Sequence, residues 1–155
     1  MCSKCKRCFF GIKLGNEENN AIYKWQCPCF KSSYIGMTGR PLLARIQEHH
    51  RPQADKPIFM HFSTCSEYQK KFRESQRYQG QKVPRTKAGK PIPLEKRKFN
   101  FFKNQFTIWK KNFRSYYERR TADAYFIRTQ RPDLNGQHEH KFFTLFWLGP
   151  PYFCD

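Results

Sequence analysis

Negative charge is scarce in this chain. Asp and Glu together account for 12 of its 155 residues, against 30 Lys and Arg, a formal net charge of +18. A surplus of that size repels itself in a compact state, so a polyanion is the natural partner. Long apolar runs are also missing. The longest, "FFTLFWL" at 142–148, falls far short of the ~20 residues of a membrane-spanning helix, so no membrane role is expected. No secretory leader is expected, because Met1 is followed by Cys2, Ser3 and Lys4 rather than by an apolar run. No internal repeat is visible, and 155 residues suffice for one domain and hardly two.

What is present is aromatic and basic. Phe, Tyr and Trp make up 17% of the chain, enough for an aromatic core. Lys and Arg alternate with them, as in "KKFRESQRYQGQK" and "EKRKFNFFKNQF". That mixture suits a phosphate backbone better than a membrane surface. The seven cysteines do not pair evenly, and five lie in the first 29 residues. Cys2, Cys5 and Cys8 form CxxCxxC, and Cys27 and Cys29 form CxC. Close spacing without a secretory signal reads as metal binding rather than disulfides. The first group shows three ligands. Cys154, His138 and His140 are open alternatives for a fourth.

The organisation follows from local signals. Residues 1–20 are a Cys-rich basic arm ending in the polar run "GNEENN". "AIYKWQ" and "SSYIGM" flank a turn with Pro28 and read as a β-hairpin. Pro41 opens a helix expected over 41–51. On it Leu42, Leu43 and Ile46 form the apolar face, and Arg45 and His49 lie one turn apart. "KPIFMHFSTC" begins a second short helix. Residues 66–98 read as a basic loop insertion, mobile around "VPRTKAGKPIP". "FNFFKNQFTIW" reads as a strand, and "RSYYERRTADAYFIRTQ" as a helix that stops before Pro132. Residues 137–155 form an aromatic tail. The fold class expected is α/β in the α+β sense: a small antiparallel sheet flanked by helices, spanning 21–136.

Four motifs in order, "AIY", "YIG", "TGRPLLARIQEH" and "ADAYFIRTQRPDLN", resemble the GIY-YIG endonuclease family. The cysteine-bearing insert between the first two, and the lead-in "CSKCKRC", are most similar to the nuclease domain of Penelope-like retroelements. The resemblance covers roughly residues 2–65 and 113–136. It implies a three-stranded GIY-YIG sheet with a zinc-binding insert, and metal-dependent nicking of DNA with Mg²⁺ or Mn²⁺. Nucleophilic attack on phosphorus needs proton transfer, a cation for the developing charge and a metal on the leaving oxygen. The matching positions are Tyr23 and Tyr34 for proton transfer, Arg45 for the phosphate, His49 as a site histidine, Asp123 for the metal, and Asn135. Two departures stand out: "AIY" replaces "GIY", and Asp123 stands where the family has a glutamate. The one nearby glutamate, Glu118, does not share its face.

The expected hairpin also places Cys27 and Cys29 at its tip. A helix of ten residues rises about 15 Å, so it should return His49 and His50 toward that tip. His61 and Cys65 follow within a short connection. This geometry points to a Cys₂His₂ zinc site, and the resembling nucleases carry such a set. His49 is wanted by both sites and His50 is the alternative; the expected zinc set is Cys27, Cys29, His49 and His61. Zinc would stabilise a small, highly charged fold.

Nucleic-acid contacts are expected from Arg40, Lys82, Arg85, Lys87, Lys90, Lys96, Arg97 and Lys98, with DNA as partner, RNA as the variant, and a reverse transcriptase domain as companion in a parent element. A nucleus is the expected compartment. The rival reading from the same residues is a zinc-stabilised module that binds nucleic acid without cutting it. A third is a protein-interaction domain docking through the tail.

Overall fold

The computed structural model describes residues 19–53, 56–78 and 85–136. The expected arm (Cys2, Cys5 and Cys8), Lys82 and the tail lie outside them. The described chain is α+β: a three-stranded antiparallel sheet with five helices. Strand β1 (Ala21–Gln26) pairs with β2 (Ser33–Thr38) as a hairpin, in a register from Ala21↔Thr38 to Gln26↔Ser33. Strand β3 (Phe106–Lys111) pairs on the other side of β1, giving the order β2-β1-β3. The central strand is buried on both faces, and Ala21, Ile22, Tyr23 and Trp25 have no exposed surface.

Helices α1 (Leu42–His50), α2 (Pro57–Thr64), α3 (Ser66–Tyr78) and α4 (Leu94–Lys103) supply one side of the core. There Tyr23, Trp25 and Ile108 meet Leu42, Ile46, Ile58 and Phe102. Helix α5 (Tyr116–Gln130) covers the other face, where Ile22 and Ile35 meet Ala122 and Ile127. Its start is secured by Ser115, whose hydroxyl accepts from the Glu118 N–H at 3.0 Å. Among the described residues, no helix is long and apolar enough to cross a membrane.

Two sequence expectations change. The insertion 66–98 is helical at both ends rather than loop throughout, since α3 and the start of α4 lie within it. Tyr68 and Phe72, four residues apart, pack on Phe101 at 5.3 and 5.4 Å between ring centres. The strand expected from Phe99 also begins later, because α4 runs to Lys103 and β3 starts at Phe106. A short run of phenylalanines suits either period. Here the aromatic partners on α1, α2 and α3 decide for the helix: Phe99 and Phe102 contact His50, Phe102 also contacts Phe62, and Phe101 takes α3.

The segment after α5 seals the free edge of β2. Ser33 N–H donates to Asp133 Oδ1 at 2.6 Å, and Leu134 N–H donates to the Ser33 carbonyl at 3.1 Å. The Asn135 side chain then acts as a strand partner. Its Oδ1 accepts from Ile35 N–H at 2.9 Å and its Nδ2 donates to the Ile35 carbonyl at 2.7 Å, both buried. An edge strand closed this way presents no template to another chain. Asn135→Ala leaves two buried backbone groups without partners, at a cost of about 2–3 kcal/mol. The expected result is a thermal midpoint lower by roughly 10 °C, read by circular dichroism. An unchanged midpoint would show that the edge does not depend on this amide.

Candidate active site and metal centre

The first site is built around the Tyr23 hydroxyl. Tyr23 and Gly36 are cross-strand partners, so the phenol extends over the glycine. A Cβ on Gly36 would lie 2.7 Å from the Tyr23 Oη and 2.7 Å from the Tyr34 ring. The glycine is therefore what lets both tyrosines share this space, with ring centres 6.5 Å apart. From α1, His49 Nε2 lies 2.8 Å from the Tyr23 Oη, and Arg45 Nε donates to the same oxygen at 3.3 Å.

Arg45 is aimed by a residue the sequence reading passed over. Glu48, one turn along α1, accepts from Arg45 Nη1 at 3.0 Å and pairs with Arg40 at 2.8 Å. Its carboxyl is held below the ordinary range, because these two arginines outweigh the effect of burial. The i,i+3 spacing of Arg45 and Glu48 was the available signal.

Burial dominates the titration here. It raises the Tyr23 phenol well above its ordinary value; Tyr34 and Asp123 push the same way, and Arg45 opposes. Asp123 of α5 is thus close enough to act on Tyr23 through its charge. Burial, then the charges of Arg45 and Lys56, push His49 down to about 3. Both groups rest neutral, and with Arg45 supplying one hydrogen the Tyr23 O–H is free to donate to His49 Nε2.

The His49 shift has a consequence for stability. Between about 6.5 and 3 the unfolded chain takes up a proton that the fold refuses, so stability falls as pH drops through that window. His50 and His61 are shifted the same way by burial. His49→Gln should therefore flatten the decline without abolishing it, as read from denaturant midpoints between pH 7 and 4. Parallel curves for parent and variant would refute the assignment.

The second site lies at the hairpin tip. One donor atom each from Cys27, Cys29, His61 and Cys65 lies within 4.8 Å of the others. The tip is a tight turn, in which Cys27 O accepts from Phe30 N–H at 2.8 Å and Cys27 N–H donates to Ser32 O at 2.9 Å. His61 is in the last turn of α2 and Cys65 is its C-cap, so a four-residue step places both on one side. Cys27 and Cys65 sulfurs are 4.0 Å apart. Tetrahedral zinc bonded to thiolates at ~2.3 Å would set them about 3.8 Å apart. His61 Nε2 is buried without a hydrogen-bond partner, and Tyr68 N–H donates to Cys65 Sγ at 3.4 Å. This cluster can hold a metal ion such as zinc. Burial raises the Cys27 thiol well above its ordinary value. At Cys29 the hydrogen bonds with Cys27 and from the Lys31 backbone overcome burial and lower it. Metal uptake must displace the Cys27 proton, so affinity rises with pH.

The expected zinc set is corrected accordingly: Cys65 joins Cys27, Cys29 and His61, and His49 does not. Helix α1 ends level with Tyr23 rather than at the tip, which commits His49 to the phenol. His50 stacks on Phe62 at 5.7 Å. The His-x₃-Cys step of α2 was the missed signal. Asn135 is engaged with Ile35 rather than presented to a substrate.

The expected nucleic-acid contacts are scattered. Arg40 is exposed and paired with Glu48. Arg85, Lys87 and Lys90 are exposed around a turn in which Arg85 pairs with Pro91. Lys96 and Lys98 are exposed on α4, the latter paired with Glu95. Arg97 is turned inward and donates to Gln76 at 2.6 Å.

No family model, no curated protein and no solved structure matches this chain.

Proposed function

We propose that this chain is a DNA-nicking endonuclease of the GIY-YIG type, of the Penelope-like kind, acting in the nucleus beside a reverse transcriptase of its parent element. The observation that carries the reading is the convergence of Tyr34, Arg45, His49 and the charge of Asp123 on the Tyr23 hydroxyl. The basic surplus supplies affinity for the DNA backbone. Arg45 holds the phosphate and offsets the negative charge that develops on it. Tyr23 is fully buried in the resting fold, so the step needs the half-buried Tyr34 ring beside it to move aside. An attacking water then gives its proton to the Tyr23 oxygen while the phenol proton crosses 2.8 Å to His49 Nε2. The arriving phosphate's charge favours the imidazolium that results.

Asp123 suits a hard divalent cation, since Mg²⁺ is commonly bound by one or two carboxylates plus substrate phosphate. Asp123 would hold Mg²⁺ or Mn²⁺, which would supply positive charge for the leaving oxygen. Zinc in the Cys27–Cys29–His61–Cys65 cluster is structural: four protein ligands leave no open position.

The test is conversion of supercoiled plasmid to open circles with Mg²⁺ or Mn²⁺, beside Asp123→Ala and Asp123→Glu. Cutting by the parent that is lost in Asp123→Ala supports the enzyme. Retarded but uncut DNA under either metal would overturn it and leave a binding module of the same architecture. Cutting regained in Asp123→Glu would then locate the loss in one methylene.

A further inference from the structure

Phe30 breaks two rules at once. Every other described phenylalanine is buried or half-buried, whereas Phe30 is 83% exposed, the largest value among the described large hydrophobic residues. Its φ is 59°, in the left-handed region that a bulky side chain rarely adopts. Of the other non-glycine residues with positive φ, two are asparagines, which tolerate the region, and Arg131 caps a helix. A glycine would serve the backbone at position 30 better, and a polar residue would serve the surface better. An outlier of this sort is where a hypothesis of function starts.

The turn fixes the backbone that carries this side chain. Phe30 N–H is bonded to Cys27 O, Cys27 N–H is bonded to Ser32 O, and Cys27 and Cys29 turn their sulfurs to the cluster. With both cysteines drawn inward, the left-handed residue that follows stands outward. The next residue, Lys31, is also exposed. A rigid aromatic beside a cation, on a chain of charge +18, matches a base face beside a phosphate. It does not match an apolar protein groove, which would select against the lysine.

We infer that Phe30 is a wedge that inserts between base pairs of duplex DNA, with Lys31 on the adjacent phosphate. This rests on the nucleic-acid reading above and adds to it a contact that unstacks DNA. The tip lies four residues beyond Tyr23 along β1, about 13 Å at the usual strand rise. The wedge and the Arg45 guanidinium would therefore meet a duplex a few base pairs apart.

The test uses the zinc-loaded full chain with Ca²⁺ in place of Mg²⁺. Short-duplex affinity and the linking-number change of topoisomerase-relaxed plasmid are compared for the parent, Phe30→Gly and Phe30→Leu. Stacking contacts of this kind predict a 5- to 100-fold loss of affinity in Phe30→Gly. The linking-number change should disappear with it. The salt dependence should stay the same, because phosphate contacts remain. The melting temperature should hold or rise, since glycine relieves the left-handed residue. Phe30→Leu should keep part of the unwinding, because leucine also serves as a wedge. Equal affinity and equal unwinding in Phe30→Gly would overturn the wedge alone. So would a lowered melting temperature with loss of zinc, which would make Phe30 a structural residue. Absence of any retardation by the parent would overturn the nucleic-acid reading itself, and the wedge with it.

Discussion

Cys65→Ser is expected to release one equivalent of zinc per chain and to lower the thermal midpoint by roughly 15–25 °C, while His49→Gln retains the metal. The size follows from what the cluster joins. Cys27 and Cys29 close the β1–β2 hairpin, and His61 and Cys65 end α2, so one ion held there would tie the sheet to the helical layer. Structural zinc contributes about 10–16 kcal/mol in isolated zinc-finger peptides. A domain with a core of its own uses part of that, on the order of 5 kcal/mol, against a typical total stability of 5–15 kcal/mol. For a domain of just over a hundred residues each kcal/mol moves the midpoint by about 3–5 °C. The measurement is metal content with a parallel melt, repeated with Co²⁺, whose absorption reports the thiolates. A Cys65→Ser protein that kept its zinc while His49→Gln lost it would reverse the ligand assignment. Chelation of the parent should reproduce the Cys65→Ser melt.

The second large effect is on cleavage. Arg45→Ala should lower plasmid nicking by about 10²- to 10³-fold, as for loss of one donor aimed at developing charge. Tyr23→Phe should cost about 10²- to 10⁴-fold, as for loss of a positioned proton-transfer group. DNA retardation should persist in both, because neither change alters a surplus of +18 by more than one charge. Arg45→Lys keeps the charge but not the planar fork that serves Tyr23 and Glu48 together, so it should recover little. Glu48→Gln should fall between parent and Arg45→Ala, because it loosens the arginine without removing it. Single-turnover rates on supercoiled plasmid separate these variants. Equal rates for parent and Arg45→Ala would remove the arginine from the reaction and overturn the role given to it here.

Much of this was legible in the chain because it is local. The hairpin, the helix after Pro41 and the helix before Pro132 follow from period, β-branching and proline. With the register of the hairpin comes the approach of Tyr23 and Tyr34 over Gly36, since residues on paired strands are brought together by the turn that joins them. The charge surplus and the cysteine pair at the hairpin tip are likewise properties of the sequence alone.

Other features waited for the tertiary structure, each for a physical reason. Whether "FNFF" is helix or strand depended on which aromatics stood opposite, and α1, α2 and α3 supplied a helical answer. Whether His49 or Cys65 completed the metal set depended on where α1 ends relative to the hairpin. A shift of one turn, ~5.4 Å, gives a side chain to the phenol or to the thiols. Asn135 carries a turn signal in the sequence, and only the packing of its segment on β2 makes it an edge seal. The exposure of Phe30 was equally invisible, because a phenylalanine next to Cys29 reads as core. Short-range periodicity determined the elements, and the relative placement of their ends, which no local period encodes, decided which side chains share a site.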